Sequence, residues 1–252
     1  MKVILVTSQF TYVKGNYYYL LKQVTDKNNL PENTEISCVV FIKTFSLQLL
    51  LKVIFLMFIG ARHFSLTLLK NMLTSFIYDP RIRLLKSLHI PILKVKDINS
   101  TESLCKLRQL QPDLIVNLRT RNIYKKEILS LPEIGCINIH HGILPDNRGT
   151  MCDLWAWVEN RPVGFSIHWM NEEIDGGNII ITKQIDLSKV KTYPDIPRIS
   201  SIAESEQLLL SLIKISQSGY FFSDKNISMR PKYTKNPSLK QIRLMTKTGF
   251  RL

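Results

Sequence analysis

Gly135-Cys136-Ile137-Asn138-Ile139-His140-His141-Gly142-Ile143-Leu144-Pro145-Asp146-Asn147-Arg148-Gly149 is the stretch whose reading decides this fold. Side chains at i and i+2 of a strand share a face, so Asn138 and His140 point into one space where the strand ends. Gly142 and Pro145 then break the chain, which sets an amide donor and an imidazole base at the mouth of a loop. Further along, Met170-Asn171-Glu172-Glu173-Ile174-Asp175-Gly176-Gly177-Asn178-Ile179-Ile180 carries a carboxylate on a glycine-flanked turn before another apolar strand. Amide, imidazole and carboxylate form a set suited to acyl transfer.

Outward from this stretch, strands alternate with helices. Residues 2–7 are a β-branched run of the kind a buried parallel strand carries, and residues 16–24 have helical spacing through Tyr18, Leu21 and Val24. Residues 37–42, 90–95, 113–118 and 136–140 read as further strands, with helices around 81–88 and over 101–110. This alternation predicts a doubly wound α/β domain with a mixed, mainly parallel sheet. The first turn, Ser8-Gln9-Phe10-Thr11-Tyr12, lacks G-x-G-x-x-G, which disfavours a nicotinamide or flavin dinucleotide. Ligands of open α/β sheets bind beyond the carboxyl ends of the strands, where Asn117–Arg121 and His140–Gly142 both emerge.

After the loop, Thr150 with Asp153 three residues on resembles a capping arrangement ahead of a helix through Leu154, Trp155 and Val158. Val163, Phe165, Ile167 and Trp169 alternate with Gly164, Ser166, His168 and Met170, the mark of a half-buried strand. Residues 179–185 supply an adjacent strand, leaving Asp175 on the connection between them. Residues 45–78 stand apart as an apolar segment cut by Lys52 and by Arg62-His63. A spanning helix needs about 20 apolar residues, so a membrane crossing is not expected. Two readings stay open: an apolar hairpin resting on a membrane with Lys52, Arg62 and Lys70 near headgroups, or a buried helical insertion or dimer contact. Residues 229–238 are polar and proline-punctuated and read as an extended tail with a turn.

These residues resemble the motifs of the folate-dependent formyltransferases, closest in type to the sugar N-formyltransferases. The family pattern is Asn-x-His-x-x-Leu-Leu-Pro-x-x-Arg-Gly, then Trp-Ala, then Met-x-x-x-x-Asp-x-Gly-x-Ile. It is matched here by Asn138, His140, Ile143-Leu144-Pro145, Arg148-Gly149, Trp155-Ala156, Met170, Asp175, Gly177 and Ile179. Gly142 departs from it, standing where many relatives carry serine. The resemblance implies a Rossmann-like formyltransferase fold over residues 1–205, with 45–78 as an apolar helical insertion and 206–252 as a C-terminal helix and extended tail. It implies an N-formyltransferase that moves a formyl group from 10-formyltetrahydrofolate to a primary amine through a tetrahedral intermediate, without a metal. An amino sugar on a nucleotide or lipid carrier is the expected acceptor.

On this resemblance Asn138 donates to the oxyanion, His140 accepts a proton, and Asp175 orients and polarises the imidazole. His141 falls on the opposite face of the strand and is left outside the chemistry, while His168 fits a position where relatives sometimes carry histidine. Leu88, Ile90, Asn117, Arg119, Thr120, Arg121, Gly142 and Leu144 are expected to cradle the folate, largely through main-chain groups. Arg148 and Trp155 are expected to meet the substrate, with loop pinning as the alternative for Arg148. An initiator-tRNA enzyme is disfavoured because few residues follow position 205 for the barrel such relatives append. A glycinamide ribonucleotide enzyme is disfavoured because the first loop lacks Gly-Asn-Gly-Ser-Asn. A hydrolase releasing formate from the same donor and a non-catalytic, membrane-associated scaffold complete the alternatives.

Composition bounds these readings. With 45% hydrophobic and 21% charged residues, the 252-residue chain has the make-up of a folded domain rather than a disordered one. Cys38, Cys105, Cys136 and Cys152 have no CxxC pairing and read as reduced core residues of a cytoplasmic protein, with the inner face of a membrane as the alternative location. The N-terminal apolar run is too short for an export signal. The formal charge of +14 fits nucleotide-sugar phosphates, tRNA, acidic lipids or simply a basic proteome; the basic residues are scattered, and nucleic acid is not the expected partner. Cys136 and His140 share parity, but four strand residues separate them by about 13 Å, too far for thiol activation. Cys136, His140, His141 and Cys152 have no zinc-ligand spacing.

Overall fold

The computed structural model describes residues 1–252. Seven strands, β1 (Lys2–Ser8), β2 (Glu35–Ile42), β3 (Ile92–Val95), β4 (Leu114–Asn117), β5 (Gly135–His140), β7 (Gly164–Trp169) and β8 (Ile179–Gln184), form one sheet in the order β3-β2-β1-β4-β5-β7-β8. The first five run parallel, and β7 and β8 are antiparallel additions. Period-two patterning explains how the sheet is covered. Val3 and Leu5 of β1 join the main core with α1 (Tyr18–Thr25) and α8 (Asp195–Ser218), whereas Ile4 and Val6 join a second core with α5 (Thr101–Gln109) and α6 (Lys126–Leu129).

The helices start where short polar side chains cap them. Ser46 accepts from the Leu49 N–H to open α2 (Leu47–Phe58), and Asp79 with Pro80 opens α4 (Pro80–Ser87). Thr150 does not cap α7 (Cys152–Val158), as the sequence led us to expect; Met151, in the left-handed region at φ 58°, precedes that helix. Its Asp153 is instead buried in a polar cluster described below.

Three further expectations change. β7 is buried along its whole length, because the 142–145 loop covers its polar face: Ser166 Oγ accepts from the Leu144 N–H (3.0 Å) and donates to the Gly142 carbonyl (2.9 Å). The expected division after residue 205 falls inside α8, a continuous helix whose Ile196, Leu208, Leu212 and Ile215 all enter the main core. Cys105 is exposed, unlike the other three cysteines.

Residues 45–78 form a helical hairpin of α2 and α3 (Arg62–Ile77). Val53, Leu68 and Met72 pack with Phe10 beneath it, while Leu51, Phe58, Leu73 and Ile77 stay exposed. The tail is more ordered than its composition implies. Its segment β9 (Lys232–Thr234) pairs in parallel with β6 (Asn147–Gly149), and a capping box of Ser238 and Gln241 opens α9 (Leu239–Lys247).

Candidate active site

Strand register builds the site. Asn117 of β4 lies beside Asn138 of β5, which lies beside His168 of β7, so three polar side chains form one row across neighbouring strands at the carboxyl end of the parallel sheet. Thr120 donates from N–H (3.1 Å) and Oγ1 (2.7 Å) to Asn117 Oδ1, and Asn117 Nδ2 donates to Asn138 Oδ1 (2.9 Å). His168 Nδ1 donates to the Trp169 carbonyl (2.7 Å), which leaves Nε2 to accept from Asn138 Nδ2 at 3.1 Å. The amide of Asn138 is therefore held at both ends, and its second N–H has no partner in the chain.

His140 Nε2 donates to the Asn147 carbonyl (2.8 Å), so the basic nitrogen is Nδ1, which faces Asp175 Oδ1 at 3.4 Å. Asp175 Oδ1 also lies 3.6 Å from His168 Nε2, and Oδ2 accepts the Gly149 N–H (2.8 Å). Burial drives the His140 pKa below its ordinary value, against the pull of Asp175. Burial also pushes the Asp175 carboxyl upward, but the two histidines and the Gly149 N–H outweigh it and bring it to about 2. An ionised carboxylate thus stands ready to stabilise an imidazolium that burial alone disfavours.

Two glycines fit this geometry. A Cβ on Gly142 would lie 2.5 Å from His140 Nε2 and 2.6 Å from the Asn147 carbonyl, so the departure from serine is matched to how His140 is seated. Gly149 has φ +98°, and a Cβ there would strike the Thr234 carbonyl where β6 meets β9.

Among the expected folate contacts, Asn117, Arg119, Thr120, Arg121, Gly142 and Leu144 all lie on segments leaving the carboxyl ends of β4 and β5. Leu88 and Ile90 do not. They precede β3, at the opposite end of the edge strand, four strand positions from β5, or about 19 Å at sheet spacing. Arg148 and Trp155, expected to meet the substrate, both bond within the chain. The Arg148 guanidinium bonds Glu173, Tyr233 Oη (3.1 Å) and the Asn226 carbonyl (3.0 Å), and Trp155 Nε1 donates to the Lys235 carbonyl (2.8 Å). Both fasten the tail: Asn226 Nδ2 in turn donates to the carbonyls of Asp175 (2.7 Å) and Gly177 (2.8 Å), bracing the turn that carries the carboxylate.

Behind the site lies a buried polar cluster that the sequence did not reveal. His141 Nδ1 is 2.9 Å from Tyr12 Oη and 3.2 Å from Asp153 Oδ2, and its Nε2 is 3.2 Å from Tyr17 Oη. Tyr17 donates to Glu204 (2.7 Å), which also pairs with Arg119 and accepts from Ser200. Burial raises the pKa values of both Asp153 and Glu204. The legible signal was the stripe Ile196, Ser200, Glu204, Leu208 and Leu212 at a spacing of four, which puts an acid on the buried face of a helix and so calls for a cation opposite. Cys136 shares the strand face of Asn138 but sits at the start of β5, away from its carboxyl end; its thiol donates to the Ile128 carbonyl (3.6 Å), and burial raises its pKa.

A wider cavity of about 540 Å3 opens next to the cluster, between the first loop, the α2–α3 hairpin and α9, with Tyr12, Arg119, Arg121 and Tyr193 in its wall.

The chain matches the family described as "Formyl transferase" over residues 83–212, just over half its length. It is 30% identical over 132 residues to the methionyl-tRNA formyltransferase of Thermotoga maritima, covering 52% of this chain and 42% of that one. It is 31% identical over 120 residues to the methionyl-tRNA formyltransferase of Bacillus subtilis, covering 38% of it. The chain thus spans less than half the length of these relatives. Its fold is similar to that of phosphoribosylglycinamide formyltransferase from Bacillus halodurans, with a TM-score of 0.62 at 17% identity over 87% of this chain and 97% of that one. It is also similar to a sugar N-formyltransferase from Shewanella, with a TM-score of 0.56 at 18% identity over 93% and 76%.

Proposed function

This chain belongs to the formyl transferase family, and from that premise we propose that it carries a formyl group from 10-formyltetrahydrofolate to the primary amine of an amino sugar borne on a nucleotide or lipid carrier, in the cytoplasm. The observation that carries this reading is the convergence of Asn138, His140 and Asp175 at the carboxyl end of the sheet, with His140 Nδ1 3.4 Å from Asp175.

The folate supplies an activated formyl group on N10. A new carbon–nitrogen bond to the amine forms as the carbonyl oxygen takes up negative charge, the amine gives up a proton, and the bond to N10 then breaks with a proton delivered to that nitrogen. The residues fit these needs. Asn138 has one N–H committed to His168 and a second to offer to the oxyanion, and its amide is fixed beforehand by Asn117. His140 is held neutral by burial, hence able to accept a proton, and Asp175 stabilises the resulting charge. Asn117 to Arg121 leave the adjacent strand on the same side, where a pterin would meet main-chain groups. His168 acts as a positioning residue for Asn138.

A second reading, transfer to a charged initiator tRNA, is favoured by the names of the sequence relatives and by the net charge of +14. Incubation with 10-formyltetrahydrofolate and a panel of nucleotide-linked amino sugars, followed by folate absorbance, tests the proposal. Turnover that depends on an amino sugar supports it. Formylation of methionyl-tRNA alone moves the assignment to the second reading, and no turnover with any amine together with no formate release sinks both.

A further inference from the structure

The α2–α3 hairpin takes no part in formyl transfer as described above, and the cavity beneath it shares only Arg119 and Arg121 with the expected folate contacts. The cavity wall is mainly apolar, with Val53, Leu56, Phe64 and Leu68 from the hairpin and Leu239 and Ile242 from the C-terminal segment. Its volume of about 540 Å3 lies in the range of small-molecule sites. The cavity adjoins the buried polar cluster behind the site: Tyr12 in its wall bonds His141, and Met151, also in the wall, lies two residues after Gly149, whose N–H holds Asp175. Lys52 and Arg121 add two cations to the lining.

The outer face of the same hairpin is apolar as well. Phe58 is 77% exposed and Ile77 75%, with Leu51, Phe55, Leu73 and Phe76 also open to solvent. Contiguous apolar exposure of this kind marks an interaction surface. Its charge indicates the partner: between Glu35 and Asp79 the chain has no acidic residue, while Lys43, Lys52, Arg62 and Lys70 fall within that interval. Apolar residues interleaved with cations and no anions match an anionic bilayer surface, where each basic residue adds attraction. No helix is long and apolar enough to cross a membrane. The 12 residues of α2 extend about 18 Å against a hydrocarbon core of about 30 Å, so the hairpin lies on the surface rather than through it.

We propose that the hairpin rests on an anionic bilayer and that the cavity beneath it receives the hydrocarbon chain of a membrane-borne amine. This rests on the formyl-transfer reading for the role of the amine and selects a lipid carrier over a nucleotide one. Phe55, in the cavity lining and 48% exposed, marks a route from the surface into the cavity.

The test uses the full chain and reads binding, so it stands or falls separately from catalysis. Butylamine and decylamine compete with a dansyl-undecanoate fluorescent probe, and binding to phosphatidylglycerol–phosphatidylcholine vesicles is followed by flotation. Each buried methylene raises affinity by about fourfold at full burial, so decylamine should displace the probe at a concentration at least about a hundredfold below that of butylamine. Leu56→Trp, which fills the cavity, should weaken decylamine at least about tenfold and leave flotation intact. Phe58→Asp with Ile77→Asp should abolish flotation and leave decylamine binding intact. Equal displacement by the two amines in the unaltered chain overturns the proposal without any variant. A chain that does not float, and whose dimeric mass in solution is halved by Phe58→Asp, assigns the outer face to a second copy and likewise overturns it. Absence of formyl transfer with these binding results intact would instead strike the catalytic reading alone.

Discussion

At the scale of single residues, the site depends on how few degrees of freedom its side chains retain. Asn138→Ala removes the open N–H offered to the oxyanion, which is typically worth roughly 3–4 kcal/mol of barrier, and it leaves Asn117 and His168 each short of a partner. Turnover measured by folate absorbance should fall about 10²–10³-fold, while the melting temperature drops by only a few degrees. Gly142→Ser restores the residue many relatives carry, yet its Cβ would press on His140 Nε2 and the Asn147 carbonyl. It should lower kcat well below that of the unaltered chain, and unchanged kcat would show that the loop yields without moving the imidazole. Because burial depresses the His140 pKa, the base is unprotonated at neutral pH. Activity should therefore rise with pH through an apparent value below 6.5 and be level from about pH 7 upward; a limb above 7 would contradict the assignment. Asn138, His140 and Asp175 were legible in sequence because strand parity and turn glycines act over a few residues. His168 and Asn117 gain their roles from cross-strand register, which no local pattern encodes.

At the scale of elements, α8 is locked to the loop after β4 by Arg119 and Glu204, both with side chains at most 5% exposed. Glu204→Ala strands the guanidinium and should cost roughly 3–5 kcal/mol in urea unfolding. The paired change Arg119→Met with Glu204→Leu should recover most of that loss, since removing both charges also removes the desolvation penalty. Equal losses in the single and double variants would mean that the pair contributes packing rather than charge compensation. The same contrast explains which elements could be read in advance. The strands of the parallel sheet announce themselves as apolar runs, and the α2–α3 hairpin as an apolar anomaly. By comparison α9 follows a proline-punctuated polar stretch, and its sequence marks, the Ser238–Gln241 box and the spacing of Leu239, Ile242 and Met245, span only nine residues. Arg148 looked like a ligand contact because it stands near a helix start, where an arginine can read a phosphate or carboxylate. Its tertiary neighbours Glu173, Asn226 and Tyr233, between 25 and 85 residues away in the chain, make it a brace.

At the scale of the whole molecule, the net charge of +14 separates the two acceptor readings. Polyanion binding driven by phosphate neutralisation weakens steeply with salt, by as much as about 10³–10⁵ between 50 and 200 mM for proteins making many phosphate contacts. The KM for an amino-sugar acceptor should change by less than about tenfold over that range; a far steeper loss would point to tRNA. The sequence by itself determined the α/β class, the parallel strands, the family and the three residues at the centre of the site, because strand period, turn chemistry and motif spacing are local and survive without neighbours. Only the tertiary structure decided that Leu88 and Ile90 lie at the wrong end of the sheet, that β7 is buried on both faces, that the tail fastens the Asp175 turn, and that an apolar cavity lies beside the buried cluster of His141 and Glu204. Each of these depends on which distant segments cover one another. That is fixed by strand order and packing among residues far apart in the chain, where a linear pattern carries no information.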